Sequence, residues 1–259
     1  MIAALLLAMQ ATPESVAERD AAELAEMLVG TWNNAEAAYF AGELDGYPVY
    51  PDGFRIASNE GQLIVTDALG AQVRKAWSVK AWNDGTIVLI EPDAKPACVV
   101  RLERQGQTFL IGAPQDDRDE DSACQFLNAR GTVATADALS LHYGEGGPVT
   151  FHRADPYTCW VSRKKDDAAG EGGWTWTPGV TVREGEYVQL PDDPAVARPA
   201  GIKLRHVRWP YGQNRDSLVL YVHEAEDEPA VSYAWTEPDA ERIAINLRWV
   251  QASCTRSTE

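Results

Sequence analysis

Positive charge is what this chain has least of. Its 259 residues carry 23 Lys and Arg against 39 Asp and Glu, a net charge of −16. A nucleic-acid partner needs a basic face to neutralise phosphates, so that class is excluded, and anionic membrane surfaces with it. Long apolar runs are missing too. The run from Ile2 to Met9 is too short to span a bilayer, and no other segment is longer, so no membrane span is expected. Histidine is scarce. His142, His152, His206 and His223 form no i,i+2 or i,i+4 pair and no H-E-x-x-H, which removes a zinc site. Cys98, Cys124, Cys159 and Cys254 include no C-x-x-C pair. There is no G-x-S-x-G, P-loop or G-x-G-x-x-G, which removes the easiest hydrolase and nucleotide readings. No catalytic residue, metal or cofactor is therefore assigned.

What is present begins with that short apolar run. Its length is that of a signal-peptide core, with small residues at Ala8 and Ala11. Residues 1–11 read as a signal peptide, and the expected location is periplasmic or secreted. An even number of cysteines fits an exported, disulfide-bonded chain. Next, "PESVAERDAAELAEMLV" (13–29) reads as a helix. Pro13 stands at the first helical position, acidic residues fill the first turns, one face is apolar, and Gly30 stops it.

Helical periodicity then fades. "FRIAS", "QLIVTD", "VRKAWSVKAW", "TIVLIE", "CVVRLER", "TFLIGA" and "ALSLHY" are short and rich in β-branched and aromatic residues. "NDG" at 83–85 and "RQGQ" at 104–107 are hairpin signals. "VRKAWSV" alternates, with Val73, Lys75, Trp77 and Val79 on one face. The second half continues in the same style, and residues 146–259 supply additional strands, with "RIAINLRWVQASC" as one run. The expected fold is all-β: one lipocalin-like antiparallel barrel domain over 12–259 with an N-terminal helix at 13–29.

Two regions carry a family resemblance. "LVGTWNNAE" resembles the start of the T-type chromophore lyases (the CpcT/CpeT family): Gly30, Trp32, Asn34 and Glu36 match, while Ala37 stands where that family has Gln. "ACVVRLERQGQTFLIGAPQDDRDEDSACQFLNARGTVATADALSL" is similar to the family's Cys-containing hairpin, on Cys98, Phe109, Gly112 and Cys124. Arg74 falls on a strand where the family's Pro-Tyr is absent here. The resemblance covers residues 20–145. It implies a calycin-like barrel that holds a linear tetrapyrrole for transfer to a phycobiliprotein cysteine. It also places Trp32, Asn34 and Arg74 at a ligand site.

Four cysteines allow three pairings. Cys98 with Cys124 is the expected first pair because the two flank a hairpin-like excursion, which leaves Cys159 with Cys254. Asp117, Asp119 and Asp121 copy the first ligand positions of a calcium loop, but Ser122 and Asn128 replace its glycine and glutamate, so the run is read as solvated. Most of the nine tryptophans are expected to fill the core. Trp174 and Trp176 share a strand face and could stack on a sugar or a flat conjugated ligand. Trp77 beside Arg74 and Lys75 could do the same for an acidic one. The leading expectation is an exported binder of a hydrophobic or conjugated small molecule, possible bilin-like guests included. A carbohydrate-binding or envelope module follows, and an active bilin lyase comes last.

Overall fold

In the computed structural model, residues 15–43, 52–67, 72–82, 85–91, 98–111, 133–142, 148–166, 173–210 and 212–257 are described. The proposed leader, Pro13, the 116–124 carboxylates, Cys124 and the Cys98–Cys124 pairing lie outside them. The first part of the chain forms α1 (Val16–Leu28), β1 (Gly30–Asn33), α2 (Ala35–Glu43), β2 (Gly53–Asn59), β3 (Gln62–Asp67), β4 (Val73–Ala81), β5 (Ile87–Glu91), β6 (Cys98–Gln105), β7 (Thr108–Ile111), β8 (Val133–Ala134) and β9 (Ala138–His142). The second forms β10 (Pro148–Arg153), β11 (Pro156–Lys164), β12 (Trp174–Arg183), β13 (Tyr187–Gln189), β14 (Gly201–Val207), β15 (Ser217–His223), β16 (Ser232–Thr236), β17 (Arg242–Asn246) and β18 (Val250–Arg256). The chain divides into two compact units, Met1–Gly30 with Arg55–Pro148, and Thr31–Phe54 with Val149–Glu259.

The first unit holds α1 and a meander in the spatial order β9-β8-β7-β6-β5-β4-β3-β2, part of a closed barrel. Each pair from β3 to β9 is antiparallel. The all-β class, the antiparallel barrel and the N-terminal helix are those that the strand pattern predicts, but the strands after β10 lie in two separate four-stranded sheets and do not extend the barrel as expected over 12–259. Helix α1 starts at Val16 rather than at Pro13, because Ser15 is its N-cap: the Ser15 side chain accepts from the Glu18 N–H while the Glu18 carboxylate accepts from the Ser15 N–H. This capping box satisfies two otherwise orphaned donors and fixes the helix start. Leu24 and Leu28 are buried. The exposed side is tied to β6, because Arg104 donates to Asp20 and, through two nitrogens, to Glu23. In the wall, Leu63 pairs with Trp77, and both are buried. The alternation of "VRKAWSV" breaks at one point: a β-bulge between Val65 and Thr66 of β3 leaves Arg74 as the extra residue of β4.

The second unit contains a β-sandwich. One sheet has the order β12-β11-β18-β17, the other β13-β14-β15-β16. Alternate residues face inward and form one core, including Tyr157, Val161, Leu204, Leu220, Ile243 and Val250. Such interdigitation holds packed sheets about 10 Å apart. Cys159 and Cys254, register partners on β11 and β18, form a disulfide inside that core. The run "RIAINLRWVQASC" is two strands rather than one. The chain reverses at Leu247–Trp249, with the Leu247 N–H donating to the Val250 carbonyl. No Gly or Asn-Gly marks that reversal, so the sequence gives no turn signal there. Strands β1 and β10 also belong to this unit and pair antiparallel, Trp32 opposite Arg153.

Candidate functional site

A concavity lies where α2 meets the outer face of the second sheet of the sandwich. The helix begins at Asn34, whose carbonyl accepts the Ala38 N–H, while the Asn33 side chain accepts the Ala35 N–H. Asn34 itself is fully buried. Its Oδ1 accepts the Asp52 N–H at 2.6 Å, and its own N–H donates to the Asp52 carbonyl. Glu36 therefore sits in the first turn, where the helix dipole favours a carboxylate. It accepts from Nε and Nη2 of Arg205 and from the Arg208 backbone N–H. Both members of this bidentate pair are buried. Burial alone would weaken the Arg205 charge. Hydrogen bonding and attraction to Glu36, with a further bond to Tyr39, outweigh that and raise its pKa above the ordinary arginine value. Arg205 also lies under the Tyr39 ring, 3.6 Å from its centroid, a short cation–π contact.

Around this rivet is a cavity of about 270 Å³. Its floor is Arg205, Val207 and Val219, with Phe40 packed on the two valines. Tyr39 and Phe40 of α2 form one wall. Tyr221, Tyr233 and Trp235 form the other, and Trp209 closes an end against Phe40 at 5.7 Å. The wall follows from register: Lys203, Tyr221 and Tyr233 lie side by side, as do Arg205, Val219 and Trp235. Tyr233 and Trp235 alternate with Ser232 and Ala234, so both rings point away from the core, 62% and 68% exposed. Tyr221 and Tyr233 are tilted neighbours with centroids 6.0 Å apart. Burial raises the Tyr221 hydroxyl pKa, and Arg205 opposes the shift. The site therefore offers aromatic faces, phenol hydroxyls, and an arginine whose charge is already matched.

Trp174 and Trp176 occupy the outer face of the other sheet. From Val182 to Val180 the even-numbered residues of β12 turn toward the core, and simple alternation would bury Trp176 and Trp174 as well. A bulge prevents this. Cys159 pairs with Val180 but Val161 pairs with Thr177, so Pro178 and Gly179 together stand opposite the single residue Trp160, one residue of extra length. Gly179 adopts φ +68°, a left-handed conformation that suits glycine. Beyond it Trp176 and Trp174 point outward, and Trp176 stacks on Trp160 with centroids 4.7 Å apart.

The remaining expected ligand residues are scattered. Trp32 is buried under Arg153, whose guanidinium is 4.5 Å from the ring centroid. Asn34 braces the backbone as described. Trp77 is buried in the first unit, whereas Arg74 is exposed at its bulge. Of the nine tryptophans expected mainly as core, only Trp32 and Trp77 are buried, and Trp82, Trp174, Trp176, Trp209 and Trp235 are exposed. Trp174, Trp176 and Trp235 sit at outward strand positions and Trp82 and Trp209 just beyond strand ends, where a ring bearing an N–H donor tolerates water. The groove residues were not assigned from sequence. "SYAWT" at 232–236 has the same two-apart aromatic signature as "WTW" and was the available signal.

Among the described residues, no three His, Cys, Asp or Glu side chains converge on a metal-sized site. No helix among them is long and apolar enough to cross a membrane. Fold and site define a class: an all-β protein with an open, aromatic-walled groove on a disulfide-linked sandwich. No family model, no curated protein and no solved structure matches the chain.

Proposed function

We propose that this is an exported binding protein whose groove takes a neutral glycan. The observation that carries the reading is the open aromatic wall of Tyr233 and Trp235 facing Tyr39 across a charge-matched floor. A pyranose ring has an apolar C–H face and a rim of hydroxyls. Its C–H hydrogens suit the negative face of an aromatic ring, while tyrosine and serine hydroxyls at the edge can bond the rim. The groove, at about 270 Å³, is near the lower end of ligand-site volumes, which suits one or two sugar rings. A greasy guest would leave one face in water here, whereas a glycan keeps that face hydrated at no cost. A cationic guest would meet the Arg205 charge, and Glu36 is already engaged. Acidic polysaccharides and nucleic acids are repelled by the net charge of −16.

Affinity electrophoresis through a soluble β-glucan, a xylan or a mannan, with polygalacturonate as acidic control, tests this. The intact chain should be retarded by at least one neutral polymer, and Trp235→Ala should lose at least about tenfold in affinity, as expected of an aromatic hot spot. Equal retardation of the variant, or retardation by polygalacturonate alone, refutes the reading.

A further inference from the structure

We propose that the sandwich carries a second glycan site on its other outer face, built on Trp160, Trp174 and Trp176, so that one molecule bridges two glycan chains. This deepens the reading above and rests on its ligand chemistry. Three observations support it. The bulge at Pro178 and Gly179 turns Trp174 and Trp176 out of the core, leaving them 41% and 56% exposed. Trp176 is held against Trp160 at an interplanar angle of 17°, so its orientation is set before any ligand arrives.

The third observation is the composition of the face. Register places Trp176, Ser162, Gln251 and Asn246 in one row, and Trp160, Ser253 and Ala244 in the next. Thr181, Thr158, Thr255 and Arg242 make another. These outward rows hold no Asp or Glu, in a chain with 39 of them. Accessible amides at Gln251 and Asn246 beside standing indole rings offer donors and acceptors to sugar hydroxyls and apolar faces to sugar C–H groups.

Geometry then decides valency. The groove residues alternate with core residues on β14, β15 and β16, while Trp160 alternates with core residues on β11 and Trp174 and Trp176 lie on the same outward face of β12. The two sites therefore look away from each other through two sheets, and a short oligosaccharide cannot occupy both. A long polymer or two polymers can, which converts two weak sites into avid cross-linking.

Isothermal titration with cellohexaose, xylohexaose and mannohexaose, each alone, provides the stoichiometry. Light scattering with the matching soluble polysaccharide reports bridging. Two oligosaccharides per chain are expected. Trp176→Ala and Trp235→Ala should each leave one site and abolish the scattering, and the double variant should bind none. Gln251→Ala, which leaves the indoles in place, should weaken only the site retained in Trp235→Ala. A stoichiometry of one, lost in Trp235→Ala and unchanged in Trp176→Ala, overturns the second site and leaves the groove standing. The reverse pattern overturns the groove instead. No heat with any of the three sugars overturns both.

Discussion

Replacing Glu36 by Gln is the sharpest test of how the groove is held. Glu36 accepts three hydrogen bonds: two from Arg205, and one from the Arg208 N–H at 3.2 Å. The substitution keeps the side-chain shape but removes the negative charge, and it turns an amide NH2 toward a guanidinium that has only donors. Arg205 is buried, so its charge would be left without a counter-ion in a poorly hydrated place. Breaking one half of a buried pair costs about 3–5 kcal/mol. The lower end applies here, because Arg205 keeps its contact with the Tyr39 ring. A loss of about 3 kcal/mol lowers a melting midpoint by roughly 6–12 °C for a domain of this size class. The unit containing the pair should show that shift in near-ultraviolet circular dichroism. Glycan retardation should fall with it, because Tyr39 and Phe40 lose the tether of their helix. The double variant Glu36→Met, Arg205→Met removes both charges, and it should recover to within about 1 kcal/mol of the parent, since an apolar pair needs no compensation. A midpoint for Glu36→Gln within about 1 °C of the parent would refute the argument that this pair pins α2.

Removing the disulfide by Cys159→Ala with Cys254→Ala opens a loop of sequence separation 95, and should cost about 2–4 kcal/mol in urea denaturation of the second unit. A smaller loss than 1 kcal/mol would contradict it. Gly179→Val forces a branched residue to φ +68°, which should cost more than about 1 kcal/mol and weaken the Trp160–Trp176 exciton signal in circular dichroism. An unchanged spectrum would show that the bulge does not aim the rings. Burial raises the pKa values of Tyr157 and Tyr221. The folded state then holds protons that the unfolded chain releases near the ordinary tyrosine value of about 10, so stability is full below that pH and falls as pH rises toward the folded values. Urea midpoints should be lower at pH 10.5 than at pH 8, with a smaller drop in Tyr221→Phe; identical drops would remove Tyr221 from the account.

Local patterns in the sequence translate directly into local structure. "QLIVTD" is β3 residue for residue, and Ser15-x-x-Glu18 carries the capping box in plain letters. Patterns that depend on a distant partner do not. Helix α2 has nine residues, too few to be stable alone, and "AEAAYFAGE" has no strong apolar stripe. It forms because Glu36 finds Arg205, 169 positions away, and Phe40 finds Val207 and Val219. The direction of Trp174 and Trp176 is legible only once the bulge opposite Cys159 and Val161 is known, since alternation from Val182 alone points them inward. Tyr233 and Trp235 needed no such knowledge, only the observation that they alternate with the small residues Ser232 and Ala234.

Charge, the first property of the chain, bears on the groove as well. Contiguous exposed aromatic surface normally invites self-association, because apolar area leaves water wherever two patches meet. Two such surfaces on one molecule would favour chains of contacts rather than closed dimers. A net charge of −16 opposes every such approach between copies, and opposes phosphates and carboxylate polymers in the same way. An uncharged ligand feels none of that repulsion. The acid-free rows around Trp176 and the matched Glu36–Arg205 pair beneath Tyr39 carry the same neutrality down to the two surfaces themselves. Under the proposed glycan function, the acidity would keep charged partners away from the exposed rings while leaving a neutral sugar free to reach them.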